Sequence, residues 1–144
     1  MADLYLVGVD GSEGSRRALY VAAHAAHRVD ARLLVVHVIE NSPGADLAPT
    51  APEIAFGQLA AELEEAHHHL LEPLAAEARD LGVPIELKSL HGDPAATLAE
   101  LAAVREATQI FIGRDHHSRL HDRLFGSMLL SLAKKTTVPL TLVP

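Results

Sequence analysis

Short apolar runs alternate with stretches of helical spacing along the whole chain, and few folds accommodate that rhythm. The runs are residues 4–9 (LYLVGV), 33–39 (LLVVHVI), 85–90 (IELKSL), 109–112 (QIFI) and 140–143 (LTLV). Each is short, rich in Leu, Val and Ile, and bounded by turn residues, which predicts a strand. Continuous apolar runs suit parallel strands covered on both faces, whereas the alternating third run suits a sheet edge. Between them lie helical patterns. Ser12 is a good N-cap for a helix whose buried stripe is Leu19, Ala22, Ala26 and Val29. Residues 53–81 keep steps of three and four through Leu59, Leu63, Ala66, Leu70, Leu74, Ala78 and Leu81. Pro73 should kink or interrupt that helix, because it removes a backbone donor and clashes with the preceding turn. Gly82 is a C-cap and Pro84 blocks continuation. Asp93 as N-cap and Pro94 at the first helical position start a helix carrying Leu98, Leu101 and Ala102 to about Ala107. Residues 128–135 (MLLSLAKK) form a short last helix. The pattern predicts a single α/β domain over residues 1–144: a doubly wound, mainly parallel five-stranded sheet, helices on both faces, right-handed crossovers.

The length of 144 residues allows one domain with one real core. Aromatics are only 3%, so Leu, Val, Ile and Ala must fill that core. No apolar run approaches the length that spans a bilayer. The N-terminus runs straight into a strand without a signal-peptide pattern, and a soluble cytoplasmic protein is the expectation. The absence of cysteine excludes a disulfide framework and a thiolate site. The formal net charge of −7 argues against non-specific nucleic-acid binding, which needs a basic footprint. The charge is uneven. Residues 53–80 hold seven acids against one base, Arg79, while residues 113–135 hold five bases against two acids.

That basic segment contains the stretch GRDHHSRLHDRLFGS, residues 113–127. A glycine leaves a strand, a polar loop follows, and Gly126-Ser127 opens a helix. Free N–H groups at a helix start favour anions, and glycine lets a phosphate approach the backbone. The alternative for Gly126-Ser127 is an ordinary helix cap. Ligands of doubly wound sheets bind beyond the carboxyl ends of the strands, where the strand order reverses. Asp10-Gly11-Ser12 and residues 113–118 stand at the carboxyl ends of the first and fourth strands, and are expected to meet. Asp10 is either a carboxylate for a metal beside phosphate or the turn residue that ends its strand. Residues 41–52 (NSPGADLAPTAP) form a long loop, either a flap over the ligand or a simple excursion.

Enzyme motifs are mostly missing: there is no Gly-x-x-x-x-Gly-Lys-Ser/Thr, Gly-x-Gly-x-x-Gly, Gly-x-Ser-x-Gly or His-Glu-x-x-His. No catalytic residue is assigned. The ten histidines do not add up to a metal site. His67, His68 and His69 point about 100° apart on a helix, and His24 with His27 lacks a third ligand. His37, inside a strand, is a packed core or pocket-edge residue.

The combination of VDGSEGSRRAL after the first strand, VVHVIE, HGDP, IFIGRD with FGS, and TVPLTLVP resembles the universal stress protein family over essentially the full length. The resemblance implies a sheet of order 3-2-1-4-5 and dimers paired through the last strand, with tetramers as a further arrangement. It also implies binding of ATP through Gly, two residues, Gly, nine residues, Gly and Ser or Thr. Here that spacing runs from Gly113 to Gly126-Ser127, but the middle Gly is His116, and a further common Gly is Arg119. By the resemblance, Asp10 and Val38 flank base and ribose, and Gly113, Arg114, Ser118, Gly126, Ser127 and Met128 line the phosphates. His116 and Arg119 could contact phosphate themselves. Magnesium would arrive with the nucleotide and keep most of its waters.

Three functional classes follow. The first is a stress-response regulator that binds an adenine nucleotide, free-standing or docked on a protein such as a transporter. The second is a dimeric interaction protein of the same fold without nucleotide. The third is a slow ATPase or phosphotransferase acting near Ser118 or Ser127.

Overall fold

A computed structural model describes residues 2–40, 52–114 and 128–144. Residues 41–51 of the loop expected at 41–52, and the segment 115–127 with His116, Ser118, Arg119, Gly126 and Ser127, lie outside the described residues, while Pro52 already opens a helix. Strands β1 (Leu4–Gly8), β2 (Arg32–Ile39), β3 (Ile85–His91), β4 (Gln109–Gly113) and β5 (Leu140–Val143) form one all-parallel sheet of order β3-β2-β1-β4-β5. Helix α1 (Glu13–Arg28) follows β1, α2 (Pro52–Ala66) and α3 (Glu72–Arg79) follow β2, and α4 (Pro94–Val104) follows β3. Residues 128–135 form α5, ahead of β5. The expected architecture is therefore present, with the alternating third strand at an edge.

Strand periodicity sorts the core into two layers. Val7, Leu33, Val35 and Phe111 face α1 and α3. Leu4, Leu6, Leu34, Val36, Ile110 and Ile112 face α4 and Leu132 of α5. Small alanines on the helices, Ala18, Ala22 and Ala26 on one side and Ala95, Ala99 and Ala102 on the other, let the helices lie close on the strands. Two N-caps hold as read. The Ser12 side chain accepts from Ser15 N–H, and Asp93 accepts from Ala96 N–H at 2.9 Å. Val29 departs from the expected stripe: it is the C-cap of α1 and stands 53% exposed. The helix begun at Pro94 stops at Val104 rather than near Ala107. There Arg105 reaches back to Glu86 of β3 with two hydrogen bonds, 3.1 and 2.6 Å.

The helix expected over 53–81 is broken as Pro73 requires, but by a π turn at His67–Leu71 rather than a kink. Glu72 N–H donates to His67 O, five residues back. The wider turn relieves the carbonyl of residue 69, which would meet the Pro73 ring in a straight α-helix. One extra residue per turn also shifts the apolar phase by one. Leu71 and Ala75 are fully buried, while Leu70 and Leu74 of the expected stripe are half-buried and Leu59 is exposed. Among the described residues no helix is long and apolar enough to cross a membrane.

Candidate functional site

The site is built where β1 ends between β2 and β4. After Gly8 the chain keeps one more ladder bond, Val9 N–H to Val36 O at 2.9 Å. It then turns through Asp10 and Gly11, whose φ of +86° is open to glycine at little cost. Asp10 Oδ1 accepts from Ser12 N–H at 2.9 Å, and Asp10 N–H donates to Ser15 Oγ at 3.3 Å. Ser15 Oγ in turn donates to Ser12 O at 2.9 Å, which accounts for a hydroxyl on a residue only 4% exposed. The π turn packs onto this bend: a Cβ at Gly11 would stand 3.0 Å from Leu70 Cδ1.

Asp10 is thereby the turn residue of the strand end and also an available carboxylate. Crowding on one side pushes its pKa up. The Ser12 hydroxyl and backbone N–H, the Ser15 hydroxyl and the nearby His37 ring outweigh that and hold it below the ordinary carboxylate range. It is ionised at neutral pH and accepts hydrogen bonds only, which suits sugar hydroxyls or an amine and repels phosphate.

Val38 lies one residue from the end of β2. Alternation sends its side chain to the α4 layer, where it packs with Leu90 on the second core. In a parallel ladder both backbone polar groups of a residue point to the same neighbour. Val36 bonds toward β1, so Val38 faces β1 too, just beyond the point where that strand turns away. No β1 backbone hydrogen bond reaches it among the described residues. At that point His37 Nδ1 lies 2.9 Å from the Val9 carbonyl.

Gly113 closes β4 next to β1, whose Gly8 is in register with Ile112. It is buried against the start of α1, where a Cβ would come within 1.8 Å of Gly14 O. Of the two strand ends expected to meet, Gly113 thus touches Gly14, two residues beyond Asp10-Gly11-Ser12, and residues 115–118 lie outside the described residues. Arg114 is exposed. Its N–H donates to Val143 O at 2.8 Å, and its carbonyl accepts from Arg17 Nη2 at 2.8 Å. Met128 is half-buried in α5 and packs against the second core. Asp10, Val38 and Gly113 thus stand at or near the carboxyl ends of three neighbouring strands, β1, β2 and β4.

Sequence reasoning missed two residues that shape the site, Ser15 and Arg17, and read His37 as a packed core or pocket-edge residue without its bond to Val9. Ser15 was legible as the third residue after a serine N-cap. His37 was legible by parity, since it follows Val35 by two and must face the α1 layer at the strand end. On that face lies a second polar group. Ser89 is the register partner of His37, and His91 that of Ile39. Ser89 Oγ and both ring nitrogens of His91 are buried without a hydrogen-bond partner among the described residues, with Glu62 Oε2 at 3.6 Å from His91 Nε2.

A model of the universal stress protein family matches residues 1–144. The chain is 26% identical to universal stress protein YxiE of Bacillus subtilis over 147 residues, covering 99% of each. Among solved structures it resembles a universal stress protein in complex with cAMP, with a TM-score of 0.72 and 24% identity over 99% of this chain and 97% of that one. It also resembles a universal stress protein from Archaeoglobus fulgidus in complex with dAMP, with a TM-score of 0.69 and 23% identity over 100% and 98%. At such identities the structural likeness carries the fold, and the sequence match over the whole length carries the family: the chain belongs to the universal stress protein family.

Proposed function

We propose that this protein is a stress-response regulator that binds an adenine nucleotide in the crevice over β1, β2 and β4. The observation that carries the reading is that two unlike groups stand at the ends of adjacent strands. One end offers the ionised Asp10 carboxylate and the β1-facing backbone of Val38, which suit ribose hydroxyls and a base edge. The other is Gly113 and Arg114, where the basic segment begins. Arg114, Ser118, Gly126, Ser127 and Met128 are then the phosphate side, with His116 and Arg119 as added phosphate contacts. The two solved relatives that hold cAMP and dAMP support an adenine nucleotide as the ligand class. The intact spacing from Gly113 to Gly126-Ser127 supports ATP, with Mg2+ entering on the nucleotide. The protein acts in the cytoplasm as a homodimer paired through β5, where Leu142 is 42% exposed on the edge strand.

A second reading has its own observation. His116 and Arg119 stand where the family pattern has glycines, so a dimeric interaction protein without nucleotide is the alternative. Isothermal titration of nucleotide-free protein with ATP and magnesium, and with AMP, separates the two. Micromolar binding is expected. No heat, together with no thermal protection at millimolar ATP, would reject the nucleotide reading and leave the dimer surface as the function.

A further inference from the structure

The His37 ring meets the backbone where the β1–β2 ladder ends. Val9 donates its N–H to Val36 O at 2.9 Å, as a continuing parallel ladder requires. The next bond of that ladder would run from Val38 N–H to Val9 O. It is not made. The Val9 carbonyl instead faces His37 Nδ1 at 2.9 Å. A carbonyl only accepts, so Nδ1 carries the proton and the neutral ring is the Nδ1–H tautomer. A side chain of β2 has replaced a backbone donor of β2, one residue before the ladder would have closed over Val38.

We propose that His37 is the positioning residue of the crevice: by capping the Val9 carbonyl it ends the ladder short of Val38, frees the Val38 N–H for a ligand, and steers the chain into the turn that presents Asp10. The proposal rests on the nucleotide reading for its binding test but not for its structural ones. The polar chain of the turn agrees with it. Val9 precedes Asp10 directly, and Asp10 is fastened on its other side by Ser12 and Ser15. With both groups of Val9 engaged by β2, the carboxylate hangs from a strand end that cannot slide. Without the imidazole donor, the Val9 carbonyl would be left unpaired beside a free Val38 N–H. An unpaired buried carbonyl costs enough that the two should close on each other.

The test compares His37→Asn with His37→Leu. The amide nitrogen of Asn can stand where Nδ1 stands and still donate, whereas Leu keeps apolar bulk and donates nothing. In the wild-type protein at pH 8, nitrogen-15 shifts of the His37 ring should report the Nδ1–H tautomer, and the Val38 amide should exchange rapidly with solvent. In His37→Leu the Val38 amide should become protected, and AMP affinity should fall about tenfold, the order of one lost hydrogen bond. His37→Asn should keep rapid exchange and bind AMP within about threefold of wild type. An Nε2–H tautomer, or a protected Val38 amide in the wild type, would overturn the proposal. So would equal affinity losses in the Asn and Leu variants. Should His37→Leu not fold, the tautomer, the exchange and the Asn variant still decide. If wild-type protein binds neither AMP nor ATP, the nucleotide reading fails, and the tautomer and exchange results alone judge His37.

Discussion

Gly113 meets the backbone of Gly14 so closely that a Cβ on Gly113 would stand 1.8 Å from the Gly14 oxygen and 2.3 Å from its carbonyl carbon. The neighbour is backbone at the start of a buried helix, so it has no rotamer to turn aside. The first glycine of the basic segment therefore has a packing reason that holds with or without a ligand. Gly113→Ala should destabilise the protein by about 3 kcal/mol, the upper range for overpacking. Gly57→Ala is the control: Gly57 is exposed inside α2 with nothing within 4 Å of an added Cβ, and should gain about 1 kcal/mol from helix propensity. Urea unfolding of both variants reads the difference. A neutral Gly113→Ala would mean that α1 and β4 are not in contact as described.

Asp10 links the crevice to acid stability. Its folded pKa lies below the ordinary value, so its contribution is fully present above the unfolded pKa of about 3.9. That contribution is lost as the pH falls through the lower, folded pKa. Asp10→Ala should therefore be less stable than wild type at pH 7, and the gap should shrink progressively below about pH 4. Glu86, held low chiefly by its hydrogen bond from Arg105, has the same sign but is common to both proteins, so the difference isolates Asp10. A gap of constant size from pH 7 to pH 3 would show that the carboxylate is not what the turn holds.

The strands and N-caps were legible because each is a local rule: a short apolar run, Ser12 or Asp93 ahead of a helix; the expected C-cap Gly82 instead lies two residues past the cap of α3, Asp80. Asp93 caps α4 whatever the rest of the chain does. The phase of the helix over 53–81 was not legible. Pro73 announces a break, but whether a kink or a π turn relieves it depends on which face the sheet needs filled. His37 fell between the two cases. Its strand and its face follow from sequence, yet its bond to Val9 crosses from β2 to β1 and exists only once the register is set. The segment that carries His116 and Arg119 lies outside the described residues, so its part in the site is still a reading of sequence.

The π turn makes its own prediction. Leu71 is fully buried in the α1 layer, while Leu70 is half-buried over the Asp10 turn. Leu71→Ala should cost about 2–5 kcal/mol as a core cavity. Leu70→Ala should cost about 1 kcal/mol, in proportion to the smaller area it buries. A regular α-helix continuing the steps through Leu63 and Ala66 would reverse that order. Thermal or urea midpoints of the two variants thus test the phase shift directly, and a larger loss at Leu70 would restore the regular helix.

The replaced glycines of the basic segment decide between the two functional readings, and they can be put back. If the family pattern requires a left-handed residue at 116, His there costs about 1 kcal/mol against Gly and sets an imidazole in the phosphate's approach. His116→Gly should then tighten ATP binding about fivefold, the equivalent of about 1 kcal/mol. Weaker binding would instead make the imidazole a phosphate contact, and the local excess of bases around it gives that outcome its own physical sense. Gly126→Val is the complementary change. It places a branched side chain where the backbone N–H groups of the α5 start should meet the anion, so titration with ATP should show no binding while far-ultraviolet circular dichroism stays unchanged. If both variants bind ATP as the wild type does, the nucleotide is held elsewhere, and Asp10 and Val38 lose their assigned roles with it.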